Sequence, residues 1–190
     1  SLHDALPILG EVIYFSPLID KELPSNIDFL YIGGGYPEVF IKELSENISM
    51  LCSIKKALDN GLHCYAECGG LMYLTLGERF LGEEQISHKS VGFFNGYYTL
   101  TKKLQNFGYA KISVEVENTI LSKNMSINCH EFHKSFVNLS EEKIFKISKE
   151  VYDGSQKNWL CGYVKKNTVA LYGHVHFFGS LKWFKEILNG

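Results

Sequence analysis

The run Tyr65-Ala66-Glu67-Cys68-Gly69-Gly70-Leu71-Met72-Tyr73 constrains this chain more than any other. An apolar stretch from Leu62 to Ala66 leads into it, short enough for a buried strand, and Leu71 to Leu76 after it can start a helix. A strand that turns into a helix at one residue crowds the positions two before and two after that residue. Here those positions are Ala66 and Gly70, and both are small. This spacing is the logic of a nucleophile elbow, built on a thiol instead of a serine hydroxyl. The turn lifts Sγ over the sheet edge and sets it at a helix N-terminus, where the dipole favours thiolate. The competing reading is a buried structural cysteine, the commonest fate of a free thiol. The small flanking residues weigh against it.

The rest of the first half supplies a frame for such an elbow. Glu11 to Phe15 and Asp28 to Ile32 read as short strands, the second running into the breaker cluster Gly33-Gly34-Gly35. Pro37 can open a helix at its first turn. Phe40, Leu44, Ile48, Leu51, Ile54 and Leu58 then recur at helical spacing, with Ser45 as the cap of a second helix and Asn60-Gly61 as its end. Strand, helix, strand, helix in this order predicts a parallel sheet. The second half is strand-rich, with predicted strands at 91–100, 109–116, 127–137, 143–148, 160–164 and 168–172 and a closing helix at 179–188. The alternation Ile112-Ser113-Val114-Glu115-Val116 fits a half-exposed strand. The expected fold is one α/β domain with an antiparallel extension.

With 190 residues, 45% of them hydrophobic, the chain can build a real core. Its net charge of -2 gives no reason to propose nucleic acid or a membrane as partner. No apolar run approaches the length of a membrane span, and the start lacks the pattern of a signal peptide. The five cysteines (52, 64, 68, 129 and 161) form no CxxC pair, which predicts reduced thiols and a cytoplasmic location. The N-x-Ser triplets at Asn47, Asn124 and Asn138 are then chance matches. Residues 1–8, Ser1 to Ile8, resemble the in-frame translation of a DNA sequencing adaptor and are expected to be a non-native leader, with the domain running over 9–190.

A cysteine nucleophile needs a base. His3 lies in the suspect leader, His63 on the elbow strand, and His88 in a polar loop. His174 and His176 follow the apolar strand 168–172, at a strand end where ligand-facing residues collect in parallel sheets. They share a face if the strand persists, and only one reaches the cleft if the chain turns at Gly173. His174 is the preferred base, against the alternative that both are structural. In Cys129-His130-Glu131-Phe132-His133 the histidines are too close for the helical H-E-x-x-H pattern, so no metal site is expected. On a strand, His130 and Phe132 face one side and Glu131 and His133 the other. Glu131 is either an acid that orients a histidine or a paired surface group. Gly33-Gly34-Gly35 lacks both phosphate-loop spacings. With a thiol nearby, this loop and the N–H of Gly69 read as oxyanion donors, with Gly34 and Gly35 as the contributing residues, or else as a plain turn.

Five stretches in order, taken together, carry a resemblance. They are Phe15 to Leu18 with Leu23-Pro24; Gly33 to Glu38; Tyr65 to Tyr73; Leu104 to Tyr109; and His130 to His133, followed by Gly162-Tyr163 and His174 to Phe177. With them the chain resembles the class I (triad-type) glutamine amidotransferase domain of the cobyrinic acid a,c-diamide synthase family. The resemblance implies a flavodoxin-like parallel sheet flanked by helices. It implies that Cys68 attacks the side-chain amide of L-glutamine through a thioester, that His174 is the catalytic histidine, and that the usual third acid is absent or displaced. Glu131 and His176 stay auxiliary candidates. It further implies that ammonia passes to a synthetase domain, which uses ATP and Mg²⁺ to amidate a cobyrinate-type corrinoid. That domain, and the opening strand and helix of the glutaminase fold, are expected to lie outside this chain. A nickel-sirohydrochlorin diamide synthase and a non-catalytic partner domain are the alternatives. Lys103 stands where the family has arginine, and Cys129 where it has glycine.

Overall fold

The computed structural model describes residues 10–118 and 120–189, so the proposed leader at 1–8 lies outside the described residues. The strands are β1 (Phe29–Ile32), β2 (His63–Glu67), β3 (Gly77–Glu78), β4 (His88–Lys89), β5 (Gly96–Leu100), β6 (Asn106–Val114), β7 (Ser126–His133), β8 (Ser135–Leu139), β9 (Lys143–Glu150), β10 (Gln156–Lys165), β11 (Thr168–Leu171) and β12 (His174–Val175). The α-helices are α1 (Ile41–Glu46), α2 (Ile48–Asp59), α3 (Gly69–Leu74) and α4 (Leu181–Asn189). Short 3₁₀ turns at Pro37–Val39 and Phe177–Gly179 precede α1 and α4.

Eight strands form the main sheet in the order β1-β2-β11-β10-β9-β6-β7-β12, and four form a second sheet, β4-β3-β5-β8. In the main sheet only β1, β2 and β11 pair in parallel; β10 onward is antiparallel. The expected parallel sheet is thus its smaller part. Two of its strands, β2 and β11, are nonetheless deeply buried. Every residue from Cys64 to Glu67 and from Thr168 to Leu171 is buried, as expected where both faces of a parallel sheet are covered. From α4, Trp183, Phe184 and Ile187 enter the core, Trp183 against Phe145 and Phe184 against Phe177. Burying a side chain of this size contributes about 1.5–3 kcal/mol. Helix α2 buries Leu51, Ile54 and Leu58, as their spacing predicted, together with Met50, whereas Ile48 at its start is exposed.

Four expectations need correction. Residues 11–15 form no strand. With edge strand β1 and α4 they line a cleft of about 640 Å³ instead of extending the sheet. Ser45 caps nothing: it lies inside α1, and its Oγ accepts a bond from Lys89 N–H. Asn47 stands before α2 instead, and its amide donates to the carbonyls of Pro17 and Asp20, tying down the 17–20 turn. The predicted strand 91–100 is regular only from Gly96. The predicted strand 127–137 breaks at Lys134, where the chain crosses from the main sheet (β7) to the second one (β8).

Candidate active site

Strand β2 ends at Glu67, and Cys68 makes the turn into α3 with φ 50° and ψ −103°. A non-glycine residue there is strained by about 1–3 kcal/mol and persists only where its surroundings fix it. They do so here. Cys68 N–H donates to Leu171 C=O at 2.8 Å, and Cys68 C=O accepts from Met72 N–H at 3.1 Å. The crowding rule holds in detail. Ala66 is fully buried, and a Cβ on Gly70 would overlap the Ile32 carbonyl at the end of β1. A Cβ on Gly69 would come within 2.9 Å of Gly35 O and 3.1 Å of Gly35 N. The elbow can therefore close on the 33–35 loop only because these positions carry no side chain.

Strand β12 brings His174 to the same place. Its imidazole stands beside the Cys68 thiol, and its Nδ1 is 3.7 Å from Glu67 Oε2. That second distance is an ion-pair contact, long for a hydrogen bond. Together they raise the His174 pKa to about 10, with the Cys68 contact foremost and burial working against it. The ring lies directly on Gly34, where a Cβ would overlap it. Cys68, His174, Gly34, Gly35 and Gly69 thus converge. The other buried thiols have no such company: burial pushes Cys129 up to about 12 and Cys161 up to about 11.

The structure adds Glu67, which sequence reasoning passed over. It is 2% exposed, and both carboxylate oxygens are engaged. Oε2 accepts from Tyr31 OH at 2.9 Å and Oε1 from Val175 N–H at 3.0 Å. Burial, and then the charge of Glu67, hold the Tyr31 hydroxyl far above its ordinary pKa. The available signal was a lone carboxylate closing an apolar buried strand.

The other candidates lie elsewhere. Glu131 is buried, but its Oε2 meets His133 Nε2 at 3.4 Å, not His174. The register explains this: His174 pairs with His130, and Glu131 projects from the opposite face of β7. His176 is exposed, with its ring 5.8 Å from Phe178. His130 sits between Phe107 and Tyr109. Lys103 is exposed, and its carbonyl accepts from Thr101 Oγ1 and Gln105 Nε2. Cys129 packs against Gly173, just before His174. Among the described residues no three His, Cys, Asp or Glu side chains group to hold a metal ion, and no helix is long and apolar enough to cross a membrane.

Residues 4–181 match the family model of the CobB/CobQ-like glutamine amidotransferase domain. The chain is 60% identical over 186 residues to the cobyrinate a,c-diamide synthase of Clostridium tetani, covering 98% of this chain and 42% of that protein. It is 58% identical over 182 residues to the protein of the same name from Clostridium acetobutylicum, covering 95% and 40%. The chain thus spans about two fifths of the length of these relatives. Among solved structures, PurLQS from Thermotoga maritima superposes with a TM-score of 0.57 at 16% identity, covering 88% of this chain and 81% of that one. The glutaminase domain of Trypanosoma brucei CTPS, with acivicin bound, gives 0.57 at 12% identity, covering 97% and 80%. At such identities the likeness is one of fold.

Proposed function

Because the chain belongs to the family of CobB/CobQ-like glutamine amidotransferase domains, we propose that it hydrolyses L-glutamine at Cys68. The observation that carries this reading is the strained Cys68 at the strand-to-helix turn, with the His174 ring beside it on the Gly34 loop. His174 holds the proton drawn from the thiol, and Sγ attacks the side-chain carbonyl carbon. The tetrahedral oxyanion is met by Gly69 N–H and by the 33–35 backbone around Gly34 and Gly35. His174 returns its proton to the nitrogen, the C–N bond breaks, and ammonia leaves a γ-glutamyl thioester. Water, deprotonated by His174, cleaves the thioester to glutamate and restores the thiol. His176 and Glu131 are given no step.

The names of the relatives extend the proposal to the whole protein. There the ammonia amidates the a and c carboxylates of cobyrinate in cobalamin biosynthesis, in the cytoplasm where thiols stay reduced. ATP and Mg²⁺ act in the part of the relatives that this chain does not span, and no residue here is assigned to them.

A glutamine-analogue electrophile such as acivicin tests the chemistry. It should add one equivalent to the wild type at Cys68, glutamine should protect, and Cys68→Ser should stay unlabelled by intact mass. An unlabelled wild type, or unchanged labelling in Cys68→Ser, would make this a non-catalytic domain of the same fold. Exposed Cys52 is the internal control, since glutamine should not protect it from a general alkylator.

A further inference from the structure

We propose that Glu67 is the carboxylate that positions His174, supplying from the residue before the nucleophile the orienting acid of a nucleophile–base–acid set. The inference rests on the reading of Cys68 and His174 as nucleophile and base, and it concerns what holds the base in place.

Three observations carry it. First, Glu67 is the carboxylate that the described residues bring within ion-pair range of His174, at 3.7 Å from Nδ1. Glu131, the acid next to a histidine in sequence, projects from the other face of β7 and is engaged with His133. Second, Glu67 grips His174 twice. Oε2 faces the ring, while Oε1 accepts the N–H of Val175, the next residue along β12. One side chain thereby fixes both the imidazole and the backbone that carries it. Third, Glu67 is itself held. Tyr31 OH donates to Oε2, and the Tyr31 ring is stacked on Tyr65 and set edge-on to Phe177. A buried carboxylate with two donors and a histidine beside it has compensation for its desolvation.

The chemistry follows from the geometry. A carboxylate at Nδ1 fixes the tautomer that keeps the proton there, which leaves Nε2 to take the proton of Sγ. When that proton arrives, the imidazolium lies against a negative charge. Glu67 acts through His174 and touches no reacting atom, so it is a positioning residue. The polar groups facing His174 are Cys68 from the elbow and Glu67 from β2, with Tyr31 of β1 behind Glu67 and His130 of β7 as register partner. The 33–35 loop contributes backbone alone.

The test follows the His174 ring by NMR titration beside glutaminase kinetics of the same 190-residue chain. Glu67→Gln keeps the shape and an acceptor for Val175 N–H but removes the charge. It should lower the pH at which His174 loses its proton by at least about one unit. It should also reduce kcat on the order of 10²-fold, with KM little changed. Glu67→Asp, which restores charge at a shorter reach, should recover part of both. Tyr31→Phe strips a donor from the same oxygen, concentrates its charge on the imidazole, and should move the titration the opposite way. This variant keeps the test decisive if Glu67→Gln fails to fold.

An unmoved His174 titration in Glu67→Gln, or in Tyr31→Phe where Gln does not fold, overturns the inference even if the wild type is labelled at Cys68. A wild type that is not labelled, but whose His174 titration answers to Glu67, refutes the glutaminase reading and leaves the pairing standing.

Discussion

Of three buried carboxylates that meet a histidine among the described residues, Glu78 (with His88) belongs to the second sheet, and two belong to the main sheet: Glu67 with His174 and Glu131 with His133. Both acids are nearly inaccessible, at 2% and 1% exposure. They differ in what the histidine has left over. His133 spends both nitrogens, Nδ1 on the carbonyl of Ser135 at 2.7 Å and Nε2 on Glu131. Its ring is also covered by Tyr172, stacked 3.8 Å away. His174 turns Nδ1 to its acid, has the Cys68 thiol beside it, and leaves 37% of its side chain open to solvent. Contact between a carboxylate and a histidine therefore does not mark a site. An uncommitted nitrogen, a nucleophile beside it and access for a substrate do.

Cutting each pair at its histidine should break the comparison most sharply. His174→Ala should lower glutaminase activity by about 10²–10⁴-fold, the usual worth of a general acid–base, with little change in melting. His133→Ala removes one partner of a buried contact and uncovers Tyr172, and should cost about 2–4 kcal/mol of stability. Activity per folded molecule should survive in His133→Ala. Denaturation and steady-state kinetics on both variants check this, and equal effects on both quantities in the two variants would erase the distinction.

The glycines offer a second contrast. A methyl on Gly34 meets the His174 ring, which can swing outward, whereas a methyl on Gly70 meets the backbone carbonyl of Ile32, which cannot. Gly34→Ala should thus cost about 10²-fold in kcat, the penalty of a base misplaced by an ångström, and little stability. Gly70→Ala should overpack the junction of β1 and α3 and cost about 1–3 kcal/mol. Melting curves beside kinetics separate the two outcomes.

How much of this the sequence disclosed follows from the range of each interaction. The elbow was legible because its steric rule links Ala66, Cys68 and Gly70, which are near neighbours. The two faces of β7 were legible from alternation alone. Which face meets His174 was not, because that depends on the pairing of His130 with His174 across 44 positions. Glu67 stood inside the most scrutinised run of the chain, yet its partners Tyr31 and Val175 lie 36 and 108 positions away. The missing strand at 11–15 is the same lesson reversed, since a plausible local pattern is not a strand in the fold.

The smallest expected effect is a pH dependence that belongs to one pair. The His174 pKa is raised in the folded chain to about 10 from an ordinary 6.5. Between those values the folded state holds a proton that the unfolded state has released. The stability contributed by the charged ring is therefore full below about pH 6.5, declines as pH rises, and is gone above about pH 10. His174→Gln cannot titrate, so the wild type should lose its advantage in Tm over this variant across that window. Solvent screens a ring that is 37% exposed, and the difference should be no more than about 3 °C. Titrations of groups remote from His174 cancel between the two proteins. A gap that stays constant from pH 6 to pH 10 would mean that His174 holds no extra proton on folding, and its difference from His133 would then rest on access alone.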